Sequence, residues 1–428
     1  MNEAMFRTGF SCYSCGAAQP ADFHGYTCPA CGGNLEVTYA YHRLKSEVGR
    51  ERMVALGRPD MFRYAHLLPL SRMDFVPPLR IGMTPLHHAE HLGTSVGLRH
   101  VYLKDEGLNP SASLKDRASA VALVRAREIH AKVIAGASTG NAGSSMACLA
   151  ASVGIPCVIF VPENAPPAKI AQLLVFGAKV LAVRGSYDDA FDLCLKICDR
   201  RGWFNRNTGY NPFTREGKKT AAFEICEQLG WHAPDRVIVP TGDGNILSGI
   251  WKGMRDLHAV GLIDRLPQID CAQSESSAAV SRAVWKLRER HTNPALIKWS
   301  EVKVEPVEAT TIADSISVSR PRDGLAAVRA VIESGGEAFT VTDDEILAAI
   351  PEIARLSGVF AEPAAACGWA CLKKMARQDI VRPDERVVCL ITGSGLKDIA
   401  SARRAAGEPV VIDPSAEAAE AALQQLLP

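Results

Sequence analysis

Between residues 115 and 257 the chain alternates helix-period segments with short apolar runs, and no other feature restricts its fold as much. The periodicity predicts helices over 119–129, from 141 onward, and over 169–176, 188–200, 218–229 and 246–257. It predicts intervening strands over 132–135, 157–161, 179–183 and 236–239, with an earlier strand over 100–104. Strands joined by helices pair in parallel, because each crossover lays its helix on a face of the sheet. The expected fold class is α/β, with doubly wound parallel sheets covered on both faces. Two such units predict a cleft between them where a ligand binds.

Length and charge narrow the function. A chain of 428 residues buries a large core and holds roughly two to three domains. Lys and Arg number 48 against 47 for Asp and Glu, so charge gives no argument for nucleic acid or an anionic membrane surface. A small-molecule partner is expected. The longest apolar stretch, 147–162, is broken by Gly154 and Pro156 and is too short to span a bilayer. The first seven residues show no apolar core followed by a cleavage site, so a cytoplasmic location is expected. The thirteen cysteines fit reduced thiols, since four sit in two tight pairs and the rest are scattered among apolar residues. Cys194 with Cys198, and Cys367 with Cys371, fall four apart on expected helices, and packing is the expected role of both pairs.

The two tight pairs are Cys12-Tyr-Ser-Cys15 and Cys28-Pro-Ala-Cys31, twelve residues apart. That spacing resembles a zinc ribbon. Four thiolates would close a tetrahedral site with no open position, so a zinc ion there would stabilise folding and take no part in chemistry. The alternative is a pair of redox dithiols. His24 is surplus once four cysteines are present and is expected to be solvated. The alanine-rich tail, 416–426, reads as an amphipathic terminal helix.

Four loops carry candidate chemistry. Asn109-Pro-Ser-Ala-Ser-Leu-Lys-Asp-Arg117 follows the 100–104 strand and sets Lys115 where a helix begins. A lysine that loses hydration there has a lowered pKa and becomes a nucleophile toward an aldehyde. Ser138-Thr-Gly-Asn-Ala142 follows a strand and opens a helix, where free N–H groups favour an anion such as a substrate carboxylate. A turn capped by Ser138 or Thr139 would read the same way. Pro240-Thr-Gly-Asp-Gly-Asn245 also joins a strand to a helix and can turn successive N–H groups onto a phosphate. It matches neither a P-loop nor a dinucleotide fingerprint. Leu390-Ile-Thr-Gly-Ser-Gly-Leu-Lys-Asp398 offers the Thr392 and Ser394 hydroxyls at the end of an apolar strand. A compound with an aldehyde, a phosphate and a ring nitrogen uses all four loops, and pyridoxal 5'-phosphate is such a compound.

These motifs, with Thr84-Pro-Leu, Tyr102-Leu-Lys-Asp-Glu-Gly, Tyr187-Asp-Asp-Ala, Glu216-Gly-Lys-Lys-Thr220 and Phe360-Ala-Glu-Pro363, resemble the threonine synthase branch of the fold type II pyridoxal-phosphate enzymes. The likeness covers almost the whole chain, and a cysteine ribbon also occurs in that branch. The resemblance implies a zinc-ribbon-like module over 1–40, a large cofactor-binding domain over 41–116 and 218–428, and a small domain over 117–217. It implies a homodimer. It implies that Lys115 carries the cofactor as a Schiff base and moves the Cα proton, and that Asn141 bonds the ring hydroxyl. It further implies that Gly242, Asp243, Gly244 and Asn245 form the phosphate loop and that Thr392 faces the ring nitrogen. A neutral hydroxyl there leaves the ring a weaker electron sink, which suits elimination and replacement over transamination. Ser138, Thr139, Gly140, Ala142 and Arg215 would bind the substrate.

The implied reaction takes O-phosphohomoserine and water to L-threonine and phosphate. Three departures bear on that substrate. Ala142 stands where the branch usually has threonine, and Thr208, Gly209 and Thr214 stand where it has further phosphate donors and an arginine, with Arg215 displaced by one. Losing an arginine fork weakens phosphate recognition. The departures predict slow turnover of O-phosphohomoserine and favour a related β-elimination or β-replacement enzyme, such as a serine or threonine ammonia-lyase or a cysteate synthase. Asp243 places an acid beside the expected phosphate, which is unfavourable unless it points away or meets a cation. Ala112, Leu114 and Ala118 replace a commoner glycine, phenylalanine and glycine and read as packing changes.

Overall fold

The computed structural model describes residues 6–49 and 57–427. Residues 1–5, on which most of the reading of the chain's start falls, lie outside them. An antiparallel sheet of β1 (Arg7–Cys12), β2 (Ala18–Pro20) and β3 (Leu35–Tyr39), in the order β2-β1-β3, carries the cysteine pairs. The chain then opens a large sheet with β4 (Leu86–His88) and β5 (His100–Asp105). It leaves to build a second sheet from β6 (Ile134–Ala137), β7 (Cys157–Pro162), β8 (Lys179–Val183) and β9 (Phe204–Asn205). It returns to the large sheet with β10 (Arg236–Pro240), β11 (Gln268–Ser274), β12 (Ala338–Val341) and β13 (Arg386–Ile391).

The large sheet runs β12-β11-β10-β13-β5-β4 and is parallel except for the short edge strand β4. The second sheet runs β8-β7-β6-β9 and is parallel throughout. β10, Arg-Val-Ile-Val-Pro, is buried along its whole length, as expected of a strand covered on both faces. β8 is an edge strand and is half exposed. The helix Tyr187–Arg201 starts at a capping box of Ser186 and Asp189 and stops at Gly202, whose φ of 62° only glycine adopts at little cost.

In the large sheet the strand order reverses between β10 and β13, where the crossovers leave on opposite sides. The loops after β5, β10 and β13 open at that point, and the loop after β6 faces the same cavity. Several boundaries differ from expectation. The helix expected over 119–129 is Lys115–Glu128, so Lys115 lies in its first turn. A further helix, Phe213–Lys218, precedes Thr220–Gln228. β4, β11 and β12 were not legible. β11 reads Gln-Ile-Asp-Cys-Ala-Gln-Ser and buries Asp270 and Gln273, so its pattern does not look like a strand. The terminal helix Ala416–Leu426 is present and buries none of its residues. Among the described residues no helix is long and apolar enough to cross a membrane.

Candidate active site

Lys115 reaches the cavity because the loop before it is bound to the β13 loop on both sides. Leu114 N–H donates to Thr392 O at 2.9 Å, and Ser394 N–H donates to Ala112 O at 3.1 Å. Buried Asp116 accepts Ser111 N–H at 2.6 Å and closes the loop on itself. The next residue, Arg117, is fully buried and its guanidinium donates to both Glu106 and Glu224. Lys104 Nζ donates to Glu224 at 2.7 Å, which completes a buried set of two cations and two acids under the first turn. Burial lowers the Lys115 pKa and Arg206 lowers it further, against the pull of Glu362. That shift favours the neutral amine relative to an exposed lysine.

Ser138, Thr139, Gly140, Asn141 and Ala142 all line the same cavity as Lys115. Gly143 follows because a Cβ there would lie 2.3 Å from Ser138 O, so only glycine lets the loop turn into its helix Asn141–Ser152. Asn141 Nδ2 donates to Glu362 Oε2 at 2.9 Å and to Ser315 Oγ at 3.1 Å. Thr392 Oγ1 donates to Glu362 Oε1 at 3.3 Å. Glu362 thus joins the side chains expected at the ring hydroxyl and the ring nitrogen. Sequence reading quoted its motif without assigning it a role. Burial raises its pKa.

Gly242, Asp243, Gly244 and Asn245 line the cavity between β10 and the helix Asn245–Ala259. A Cβ on Gly242 would lie 2.7 Å from Ile316 Cα, and one on Gly244, at φ 91°, would lie 2.8 Å from Asp323 O. Space therefore requires glycine at both positions, and conformation requires it at Gly244 as well. Asp243 Oδ1 accepts Arg322 N–H at 2.6 Å, and its buried Oδ2 has no partner. Burial and neighbouring Asp323 push its pKa up to about 6. The carboxylate meets a backbone donor, while Lys218 and Arg322 act on it only by attraction beyond ion-pair distance.

Arg215 does not line the cavity, and its expected substrate role is corrected. Its guanidinium pairs with Asp323, donates to Leu35 O at 2.9 Å and to Ser248 Oγ at 3.0 Å, and lies over the Tyr13 ring. The displacement by one residue turns it toward β3, away from the substrate side. The cavity instead holds Arg206, just after β9. Arg206 Nη1 donates to Thr208 Oγ1 at 2.6 Å and Nη2 to Ser119 Oγ at 3.0 Å. Burial pushes its pKa down to about 10. Nothing in the sequence marked it. Fully buried Lys218 lines the cavity as well, together with Arg320 and Arg322; among the described residues none of Lys115, Arg206 and Lys218 forms an ion pair, whereas Arg322 pairs with Asp188. The reading of Ala112 as a packing change is also corrected: it adopts φ 60°, a conformation that favours the glycine common there.

The sulfur atoms of Cys12, Cys15, Cys28 and Cys31 lie within 4.8 Å of one another, the one such cluster of metal-ligating groups among the described residues. His24 is exposed and takes no part. Cys194 and Cys198, like Cys367 and Cys371, are buried in helix packing.

The cavity of ≈ 500 Å³ fits a phosphorylated aromatic aldehyde. It offers an amine with a lowered pKa, a loop that excludes Cβ atoms, and the basic side chains of Arg206 and Lys218, which form no ion pair among the described residues. Residues 78–393 match the family described as pyridoxal-phosphate dependent enzyme. The chain is 38% identical over 403 residues to a threonine synthase of Methanocaldococcus jannaschii, covering 94% of this chain and 96% of that one. It is 36% identical over 414 residues to a threonine synthase of Methanosarcina acetivorans, covering 96% and 98%. Among solved structures, the processed form of threonine deaminase isoform 2 from Solanum lycopersicum superposes with a TM-score of 0.63 at 21% identity, covering 76% of this chain and 87% of that one. Maize serine racemase superposes with a TM-score of 0.60 at 19% identity, covering 73% and 88%, and these two likenesses show the shared fold. With the family model spanning most of the chain and the relatives aligned nearly end to end, the chain belongs to the pyridoxal-phosphate dependent enzymes and is a threonine-synthase-like lyase.

Proposed function

We propose that the protein converts O-phosphohomoserine and water to L-threonine and phosphate, with Lys115 as its catalytic residue. The observation that carries this reading is a buried lysine with a lowered pKa in a cavity that also holds an unpaired arginine. Pyridoxal phosphate, when bound, supplies an electron sink for charge developing at the substrate's Cα. Lys115 Nζ takes the Cα proton as the neutral amine and returns a proton as the ammonium so formed. The N–H groups of Ser138 to Ala142 hold the substrate carboxylate at the start of their helix. Asn141 orients the ring through its hydroxyl, and Thr392 faces the ring nitrogen. Gly242 to Asn245 cradle the cofactor's phosphate.

Arg206 changes the expectation of slow phosphate turnover. It supplies the bidentate cation that Arg215 does not, and we assign it to the leaving phosphate. Phosphate release from O-phosphohomoserine should be efficient, and Arg206→Met should raise KM about 100-fold, as loss of a charge-assisted pair does. Serine, threonine, O-phosphoserine and O-acetylated analogues run beside it test the second reading. Ala142 and Gly209, which offer no hydroxyl, favour that β-elimination or β-replacement reading. Turnover of one of those compounds exceeding that of O-phosphohomoserine would establish it. Lys115→Ala should abolish the visible absorbance band of bound cofactor, and a band that persists would remove Lys115 from this role.

Sheet membership supports the division into a small domain over 117–217 and a large one over 41–116 and 218–428. The four-sulfur cluster supports a closed structural zinc site in the module over 1–40. The family resemblance supports a homodimer.

A further inference from the structure

We propose that Lys218 is the cation that balances the cofactor's phosphate, and that it makes this protein select the phosphorylated cofactor over the unphosphorylated aldehyde. The inference rests on reading Gly242 to Asn245 as the phosphate cradle. Lys218 ends the short helix Phe213–Lys218 and is fully buried. It reaches the cradle because the neighbouring helix Asn245–Ala259 carries Gly249, where a Cβ would lie 3.1 Å from Lys218 Cβ. A side chain there would press on Lys218 and require it to shift by a few tenths of an ångström.

Lys218 Nζ donates to Asn245 Oδ1 at 2.6 Å. Asn245 is turned to receive it, since its Nδ2 donates to Asp323 Oδ2 at 2.9 Å. An ammonium has three donors, and among the described residues the other two N–H groups find no protein acceptor. Its neighbours Lys219 and Lys252 are also buried, yet each pairs with Asp256. Lys218 has no such acid within ion-pair distance among the described residues. A buried ammonium left in that state is costly and gives up its proton readily. Burial, Lys115 and Arg206 accordingly hold its pKa well below the ordinary lysine value. A dianion seated on the N–H groups of Gly242 to Asn245, at the positive end of that helix, supplies what the lysine lacks.

The test compares binding of pyridoxal 5'-phosphate and pyridoxal to apoprotein by absorbance titration, in wild type, Lys218→Met, Lys218→Arg and Gly244→Ala. Lys218→Met should weaken pyridoxal 5'-phosphate by about 10- to 100-fold, the range for a charge-assisted bond, and leave pyridoxal unchanged. Lys218→Arg should restore most of the preference. Equal losses for both ligands, or no loss for either, would overturn the proposal. Phosphorus NMR of the wild-type holoenzyme gives a second measure that needs no variant to fold. The bound phosphate should stay dianionic below its solution pKa of about 6, and an unshifted titration would count against Lys218. Gly244→Ala separates the two readings. If it keeps the preference for the phosphorylated ligand while Lys218→Met loses it, the cradle assignment fails and the lysine assignment stands.

Discussion

Ala112 holds φ at 60° three residues before Lys115, in the turn that brings the lysine to the cavity. Its Cβ is crowded against its own backbone there, at a cost of about 1–2 kcal/mol that glycine avoids. Glycine returns part of this through its freer unfolded chain. Ala112→Gly should therefore stabilise the protein by up to about 1 kcal/mol, read as a rise in the urea midpoint with unchanged slope. A fall would mean that the methyl packs better than the backbone suffers. At this scale the sequence shows Lys115, Asn141 and Thr392 because each stands in a motif with a distinct chemical need. Arg206 escapes notice because an arginine after a two-residue strand has no local signature, and only burial beside Ser119 and Thr208 makes it a site residue.

The helix Lys115–Glu128 is held by what lies under its first turn. Arg117 forms ion pairs with Glu106 and Glu224, each fully buried, and Lys104 shares Glu224. Arg117→Met would leave two buried carboxylates facing one lysine. Such a loss costs about 3–5 kcal/mol, because the partners stay buried without compensation. The expected result is a large drop in the urea midpoint, accompanied by weaker cofactor binding as Lys115 loses its support. A midpoint within error of wild type would show that Glu106 and Glu224 find other partners. Elements with regular apolar patterns were legible in the sequence, and β7, β8 and β10 lie within a residue of their expected positions. β11 was not, because Asp270 is buried by pairing with Arg236 of β10 and makes a core strand look polar.

The cysteine module and the 242–245 loop are one connected structure at the scale of the molecule. Asn34 Nδ2 donates to Arg322 O at 2.6 Å and to Asp323 Oδ1 at 2.9 Å. Arg215 joins Leu35 O to Asp323, and Asp323 receives Asn245 Nδ2 and Ser248 Oγ at the head of the loop's helix. Loosening the cysteine turn should therefore release Asp323 and slacken the loop. Removing metal by chelation should lower Tm and raise the Kd for pyridoxal 5'-phosphate about tenfold, equivalent to about 1.4 kcal/mol. Arg215→Met should do the same with the metal still bound. Cofactor affinity that survives metal removal unchanged would show that the module stabilises only itself.

Sequence alone determined the family and cofactor class of this protein: strand-to-helix loops place a lysine, two glycine-containing turns and a hydroxyl at the ends of parallel strands. Local chemistry decides these because backbone N–H groups at a helix start and a lysine in a turn act through their immediate neighbours. The tertiary structure decided which charges meet. Arg215, Arg206 and Lys218 lie within thirteen positions of one another, yet one locks the cysteine module to the loop and two stay unpaired in the cavity. Those assignments depend on which distant carboxylates fold against each side chain, and Asp323 lies more than a hundred residues from Arg215.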